Sequence, residues 1–148
     1  MFDRLRAEGT NLEEVVQQEF SREAPLFKLA GFKITRVAKG EANMSFSTSE
    51  INVRRGGLIH GGVVMYALDT VCGLSVMTVN RSTDQVTLEL KVNFLAPLLN
   101  SPYLAHGKVL RAGGRTVVAE GEVFDSAGKL CAKALGTWYI VGSAGNAK

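Results

Sequence analysis

The stretch Gly57-Leu58-Ile59-His60-Gly61-Gly62-Val63-Val64-Met65-Tyr66-Ala67-Leu68-Asp69-Thr70-Val71-Cys72-Gly73-Leu74-Ser75-Val76-Met77 decides how this 148-residue chain is read. From Val63 onward apolar residues run nearly all the way round a helix. Such a helix has to be buried, so it is expected at the centre of the fold, ~25 Å long at 1.5 Å per residue. Between residues 56 and 80 only Asp69 is charged. A membrane-spanning reading fails on it, because a central Asp costs ~2.5–3.5 kcal/mol in a lipid-spanning helix, and the segment also carries His60 and several glycines.

The remaining composition agrees with a packed core. With 46% hydrophobic and 21% charged residues and 3 prolines, disordered and low-complexity classes are excluded, and a mass of 15.9 kDa suits a single domain over 1–148. The net charge of +3 is spread along the chain. That balance suits a small phosphate-bearing ligand better than a nucleic acid, which wants a dense basic stripe. Cys72 and Cys131 read as small buried hydrophobes of a reducing, cytoplasmic compartment. Two histidines and no paired-Cys motif give no reason to expect a metal or a resident cofactor. Met1 to Arg6 has no apolar stretch, so no signal peptide is expected.

Working outward, Thr10-x-x-Glu13 has the spacing of a capping box, and Leu12, Val15, Val16 and Phe20 repeat at helical spacing up to Pro25. A short helix over about 11–24 is expected, followed by a core over about 26–141. Phe32 to Val37 and Asn43 to Thr48 read as a hairpin broken at Lys39-Gly40-Glu41. After the long helix, Val86, Leu88, Leu90, Val92 and Phe94 alternate with polar residues until Pro97. Strands over Tyr103 to Arg111, Thr116 to Phe124 and Leu130 to Val141 follow, joined by turn-type segments. The fold class is α+β: one buried helix packed on an antiparallel sheet of five or six strands.

Asp69 is the anomaly in this pattern. A carboxylate among apolar neighbours needs a partner or a wet face. It is either a structural group bonded to a nearby loop or a general base or nucleophile beside a crevice. Gly57 to Gly62, entering the helix, gives a ligand access to free backbone N–H groups at a positive helix end, where an oxyanion or phosphate is held. The same glycines also suit a plain turn, and His60 either ties down that loop or takes part in chemistry. Gly62 and Asp69 are seven residues apart, ~10 Å along the axis, so one small reacting group cannot easily touch both within one chain. A two-fold dimer that sets the helix start of one subunit against Asp69 of the other solves this. Gly73, one turn beyond Asp69 on the same face, leaves room for a ligand or a second backbone.

Gly57-x-x-His60-Gly61-Gly62, Asp69 nine residues after the His, and the strand Val86 to Pro97 together resemble the hotdog-fold acyl-CoA thioesterases of the PaaI-like, phenylacetic acid degradation type. The resemblance covers about Phe32 to Val141, including the Gly114-Arg115 turn and the Asp125…Gly128…Leu130 turn and strand. It implies a sheet wrapped around a long helix and paired subunits that share their active crevices, as a homodimer or a homotetramer built of dimers. It implies that Asp69 attacks the thioester or activates water, that the Gly61 N–H polarises the carbonyl, that His60 shapes the loop, and that Thr87 orients the water. Family members carry Asn or Gln about six residues before the His, orienting the water or the carboxylate; here Arg54 holds that register and Asn52 lies two residues earlier, so either Asn52 reaches the site through a longer loop or Arg54 replaces the amide beside Asp69. The substrate implied is an acyl-CoA, with coenzyme A arriving as part of it and no separate cofactor. Arg54, Arg111 and Arg115 are candidate contacts for its phosphates, and Gly62, Val63, Tyr66 and Leu95 for the acyl group.

Dehydration or hydration of the thioester is disfavoured. Those relatives pair an Asp with a His five residues later or place a Glu on the helix, and here the fifth residue after Asp69 is Leu74 and the helix has no Glu. A non-catalytic acyl-CoA binding module and a plain interaction domain are the alternatives. The first would keep the crevice without using Asp69, and the second would bind no CoA.

Overall fold

The computed structural model describes residues 9–82 and 84–142; the N-terminal reading of Met1 to Arg6 lies outside them. The described chain runs α1 (Leu12–Glu23), α2 (Pro25–Leu29), β1 (Lys33–Ala38), β2 (Glu41–Phe46), α3 (Gly61–Met77), β3 (Asp84–Phe94), β4 (Tyr103–Ala112), β5 (Thr116–Phe124) and β6 (Leu130–Val141). The six strands form one sheet in the order β1-β2-β4-β5-β6-β3, every neighbouring pair antiparallel. The α+β expectation holds, with the sheet curling round α3.

The strands follow from their side chains. β5 alternates buried Val117, Ala119, Gly121 and Val123 with half-buried residues, which is the signature of a strand covered on one face. α3 lies over that face, burying Val64, Ala67, Leu68, Val71, Cys72, Leu74 and Val76. Two glycines set how deeply it sits. A Cβ on Gly107 would stand 2.4 Å from the Val71 carbonyl oxygen, and one on Gly121 would stand 2.7 Å from Cys72 Sγ. A side chain at Gly107 would strike the helix backbone and push it off the sheet, whereas one at Gly121 would crowd the side chains of Cys72 and Leu68.

Two details differ from the sequence pattern. The cap of α1 is Asn11, whose side chain accepts the Glu14 N–H, and not Thr10. Glu13 is needed elsewhere: its carboxylate accepts the Val37 N–H at 2.8 Å, and Gln17 accepts the Ile34 N–H at 2.7 Å. Side chains of α1 thus cover the outer edge of β1. The second difference is in β3, where the register shifts between Thr87 and Glu89. A bulge re-aims the side chains on either side of it. Thr87 turns toward α3, while Leu90 and Val92 pack on the core and Val86 and Leu88 are left exposed. The single apolar face expected from strict alternation is therefore split.

The two edges of the sheet end differently. β1 is covered by α1, whereas the outer edge of β3 pairs with no strand among the described residues. Leu88 and Phe94 on this strand are 57% and 54% exposed. An eleven-residue bare strand of this kind is a template for pairing with another chain.

Candidate active site

The N-terminus of α3 is built by the loop before it. Val53 and Ile59 form a bridge, the Arg54 N–H donates to the Leu58 carbonyl at 2.8 Å, and the His60 N–H donates to the Asn52 carbonyl at 2.9 Å. Gly56 and Gly57, at φ 97° and 79°, make the return that this tight loop requires. His60 is the helix cap: its Nδ1 accepts the Gly62 N–H at 2.9 Å, so the ring proton sits on Nε2. This use of His60 is structural, and it consumes the Gly62 amide. The Gly61 N–H has no partner among the described residues and points out of the positive end of the helix. The Gly61 amide is thus available to polarise an oxygen, and the Gly62 amide is not.

Asp69 sits on the half-exposed stripe of α3, next to Thr70 and below Tyr66. The desolvated carboxylate expected from an all-apolar helix is not found within one chain. Its Oδ1 accepts from Thr87 Oγ1 at 2.8 Å, and Oδ2 has no partner among the described residues. The β3 bulge therefore delivers the hydroxyl that orients Asp69. Both groups line a groove of about 310 Å³ between α3 and β3, bordered by Phe20 of α1, by Ala24 just after it and by Trp138. Burial raises the Tyr66 phenol above its ordinary value, and the nearby Asp69 charge adds to the rise. On the inner side of the helix, burial first and the Asp69 charge second push the Cys72 thiol up to about 12. Cys131 is buried too, its thiol also raised by burial.

The structure separates several residues that sequence reasoning grouped. Asn52 is 2% exposed, with its Oδ1 accepting the Ser49 N–H and its Nδ2 donating to the Ser47 carbonyl, so its amide holds the loop. Arg54 lies beside Gly61, Phe94 and Leu95 in a second hollow, away from Asp69 of the same chain. Val63 opens on a third hollow with His60, Gly62 and Leu29; Tyr66 borders both this one and the groove. Val63 and Leu95 therefore share no cavity. Gly73 lines the groove: Gln85 Nε2 donates to its carbonyl at 2.7 Å, and Gln85 Nε2 and Trp138 Nε1 stand 3.4 and 3.5 Å from where a Cβ would point, at the edge of the room it leaves. Arg111 and Arg115 are exposed at the β4–β5 turn, where Arg115 donates to the Tyr139 hydroxyl. The register Val117–Trp138–Thr87 puts this turn at the same end of the sheet as Asp69. Sequence reasoning missed Phe20, Gln85 and Trp138 as groove residues. The one signal available was that Trp138 is the single Trp of the chain, and nothing local said which way its ring points.

A family profile described as the thioesterase superfamily matches residues 56–132, from the glycine loop through the first residues of β6. "Putative esterase SSO2140" of Saccharolobus solfataricus is 43% identical over 86% of this chain and 91% of its own length. The chain belongs to the thioesterase superfamily. This thioesterase is also similar to "Medium/long-chain acyl-CoA thioesterase YigI" of Salmonella typhimurium, at 28% identity over 87% of this chain and 93% of the relative. The fold of the enzyme is that of thioesterase HI1161 of Haemophilus influenzae, at a TM-score of 0.84 and 17% identity over 94% and 96% of the two chains. The hotdog architecture and hydrolysis of a thioester are thus the fold and the chemistry of this enzyme. Among the described residues no three His, Cys, Asp or Glu side chains gather as metal ligands would, and no helix is long and apolar enough to cross a membrane.

Proposed function

We propose that the enzyme hydrolyses an acyl-CoA to the free acid and CoA at sites shared between two copies of the chain. One observation carries this reading. The two unpartnered groups suited to the chemistry, Asp69 Oδ2 and the Gly61 N–H, lie eight residues apart on one helix, ~12 Å along its axis. They also face opposite ends of the bare strand β3: Asp69 meets Thr87, and a Cβ on Gly61 would stand 3.4 Å from the Phe94 ring. Antiparallel pairing of β3 with its own copy, centred between Leu90 and Lys91, sets Thr87 of one chain opposite Phe94 of the other. Asp69 of each subunit then faces Gly61 of its partner, and Leu88 and Phe94 are covered.

In that arrangement the Gly61 N–H donates to the thioester carbonyl as negative charge develops on its oxygen. Asp69, oriented by Thr87, takes a proton from water as the water oxygen attacks the acyl carbon. The C–S bond breaks, and sulfur leaves as the CoA thiol with the proton relayed to it. Direct attack by Asp69 gives an anhydride that water then opens to the same products. The thioester carbon is electrophilic enough for one carboxylate and one amide to act without a triad. The relatives named for medium- and long-chain acyl-CoA support the substrate class, and Arg111 and Arg115, at the Thr87 end of the sheet, are suited to the CoA phosphates.

Complementation tests the shared site. Asp69→Asn removes the base, and Gly61→Pro removes the donor at a helical position that tolerates proline. Each variant alone is expected to be inactive. Mixed dimers regain activity at one of their two sites, the one that combines intact Asp69 from one chain with intact Gly61 from the other. Absence of recovery in a verified mixed dimer rejects the shared site.

A further inference from the structure

Beyond Asp69, the groove holds an indole N–H with nothing to bind. Trp138 is 2% exposed, and its indole N–H has no hydrogen-bond partner among the described residues. The nitrogen keeps some accessible surface, so the bond is left for an occupant of the groove to make. Here Nε1 lies 3.5 Å from where a Cβ on Gly73 would stand, and both residues line the groove.

The other polar groups along the far part of the groove are already paired with each other. Gln85 donates to the Gly73 carbonyl and accepts from Asn80 Nδ2 at 3.3 Å. Asn80 also donates to the Val76 carbonyl at 2.9 Å and accepts the Ser82 N–H at 2.9 Å. The opposite wall, Phe20, Ala24, Leu74 and Met77, is apolar. An occupant that extends from Asp69 along α3 therefore meets carbon on one side and only neutral donors on the other, the Trp138 N–H and the second amide hydrogen of Gln85 Nε2.

On the acyl-CoA reading, on which this rests, we infer that the groove receives the acyl group and that Trp138 selects acyl groups carrying a neutral oxygen. Gly73 lies one helical turn beyond Asp69, ~6 Å along the axis, which places that oxygen about five bonds from the thioester carbon. A hydroxyl, oxo or ether oxygen meets the requirement. An anionic end group does not, because Asp69 and Asp84 border the same groove. Trp138 acts on specificity alone, since it touches the acyl group and not the reacting atoms.

The test compares kcat/KM for hexanoyl-CoA, 5-oxohexanoyl-CoA and butyryl-CoA, whose chain ends short of Gly73. The wild-type enzyme is expected to favour the oxo substrate over hexanoyl-CoA by at least ~10-fold, because a buried donor left unpaired penalises the analogue lacking the acceptor. Trp138→Phe, which keeps a ring and deletes the N–H, lowers the ratio at least ~3-fold, the Gln85 amide holding the remainder. Gly73→Ala places a methyl in front of the same N–H in a helix that accepts alanine readily. It lowers the oxo-substrate value relative to butyryl-CoA by ~10-fold, and this second variant decides the matter should Trp138→Phe misfold. A wild-type enzyme that turns over all three thioesters without preferring the oxo compound overturns the inference alone, as does a ratio unchanged in both variants. A wild-type enzyme that turns over none of them overturns the acyl-CoA reading, and this inference with it.

Discussion

Two aspartates in this molecule show what separates a carboxylate that holds a fold from one that is left to react. Asp125, in the β5–β6 turn, is buried with both oxygens occupied. Oδ1 accepts the N–H groups of Ala127 and Lys129 at 3.0 and 2.9 Å, and Oδ2 accepts from Asn100 at 3.0 Å. Those donors, the Lys129 amide foremost and the Asn100 side chain next, hold its carboxyl below the ordinary range. Asp69, on the middle turns of α3, has one bond, from Thr87, and one oxygen open to the groove. Satisfied valence marks the first as a turn staple. Incomplete valence beside a cavity marks the second as available for chemistry.

The comparison breaks most readily at Asp69 itself. Asp69→Asn is expected to lower kcat/KM for an acyl-CoA by at least ~10²-fold, the size of a lost general base, while thermal melting stays unchanged. Thr87→Val, which keeps the shape and removes the bond to Oδ1, should cost ~10-fold in kcat/KM without unfolding the chain. A drop as large as that of Asp69→Asn would move the catalytic role onto the hydroxyl.

At Asp125 the pattern should reverse. Its folded carboxyl is depressed, so its stabilising contribution is fully present above the unfolded value of about 3.9 and fades as pH falls through the folded one. Asp125→Asn is therefore expected to melt below wild type at pH 7, with the gap closing in melts run below about pH 4, and to leave turnover intact. An equal gap at both pH values would mean that charge plays no part in the turn. The smallest effect is expected at Cys72, whose thiol at about 12 carries almost no thiolate at pH 8. Ellman's reagent should leave it unlabelled in the native enzyme and in Asp69→Asn alike, because burial outweighs the Asp69 charge.

The elements themselves were legible wherever one periodicity ran long. The apolar run Val63 to Met77 and the segments Thr116 to Phe124 and Leu130 to Val141 appear as α3, β5 and β6. What the sequence did not reveal was decided between elements. β3 follows α3 directly but pairs with β6, and its bulge at Leu88 is encoded in no turn residue. The cap fell on Asn11 because Glu13 was drawn to the edge of β1. At the site, Asp69 and the glycine loop could be picked out because each breaks a local rule, one by its charge in an apolar helix and the other by its lack of side chains. Gln85 and Trp138 break none, and only the register of β3 on β6 brings them to the groove. The roles of Asn52 and Arg54 were also beyond sequence spacing, since the fold of residues 47–60 decides which side chain is spent on the loop.

The bare hydrogens of Gly107 and Gly121 have a consequence at a distance. They fix the standoff between α3 and the sheet, and with it the height at which Asp69 meets a hydroxyl carried by a strand on the far rim. A methyl at Gly107 is remote from every reacting atom, yet it would raise the helix like a wedge under a beam and open the contact to Thr87. Catalytic alignment in this fold is thus set partly by matter left out, and selection on activity would be felt at positions that never touch the substrate.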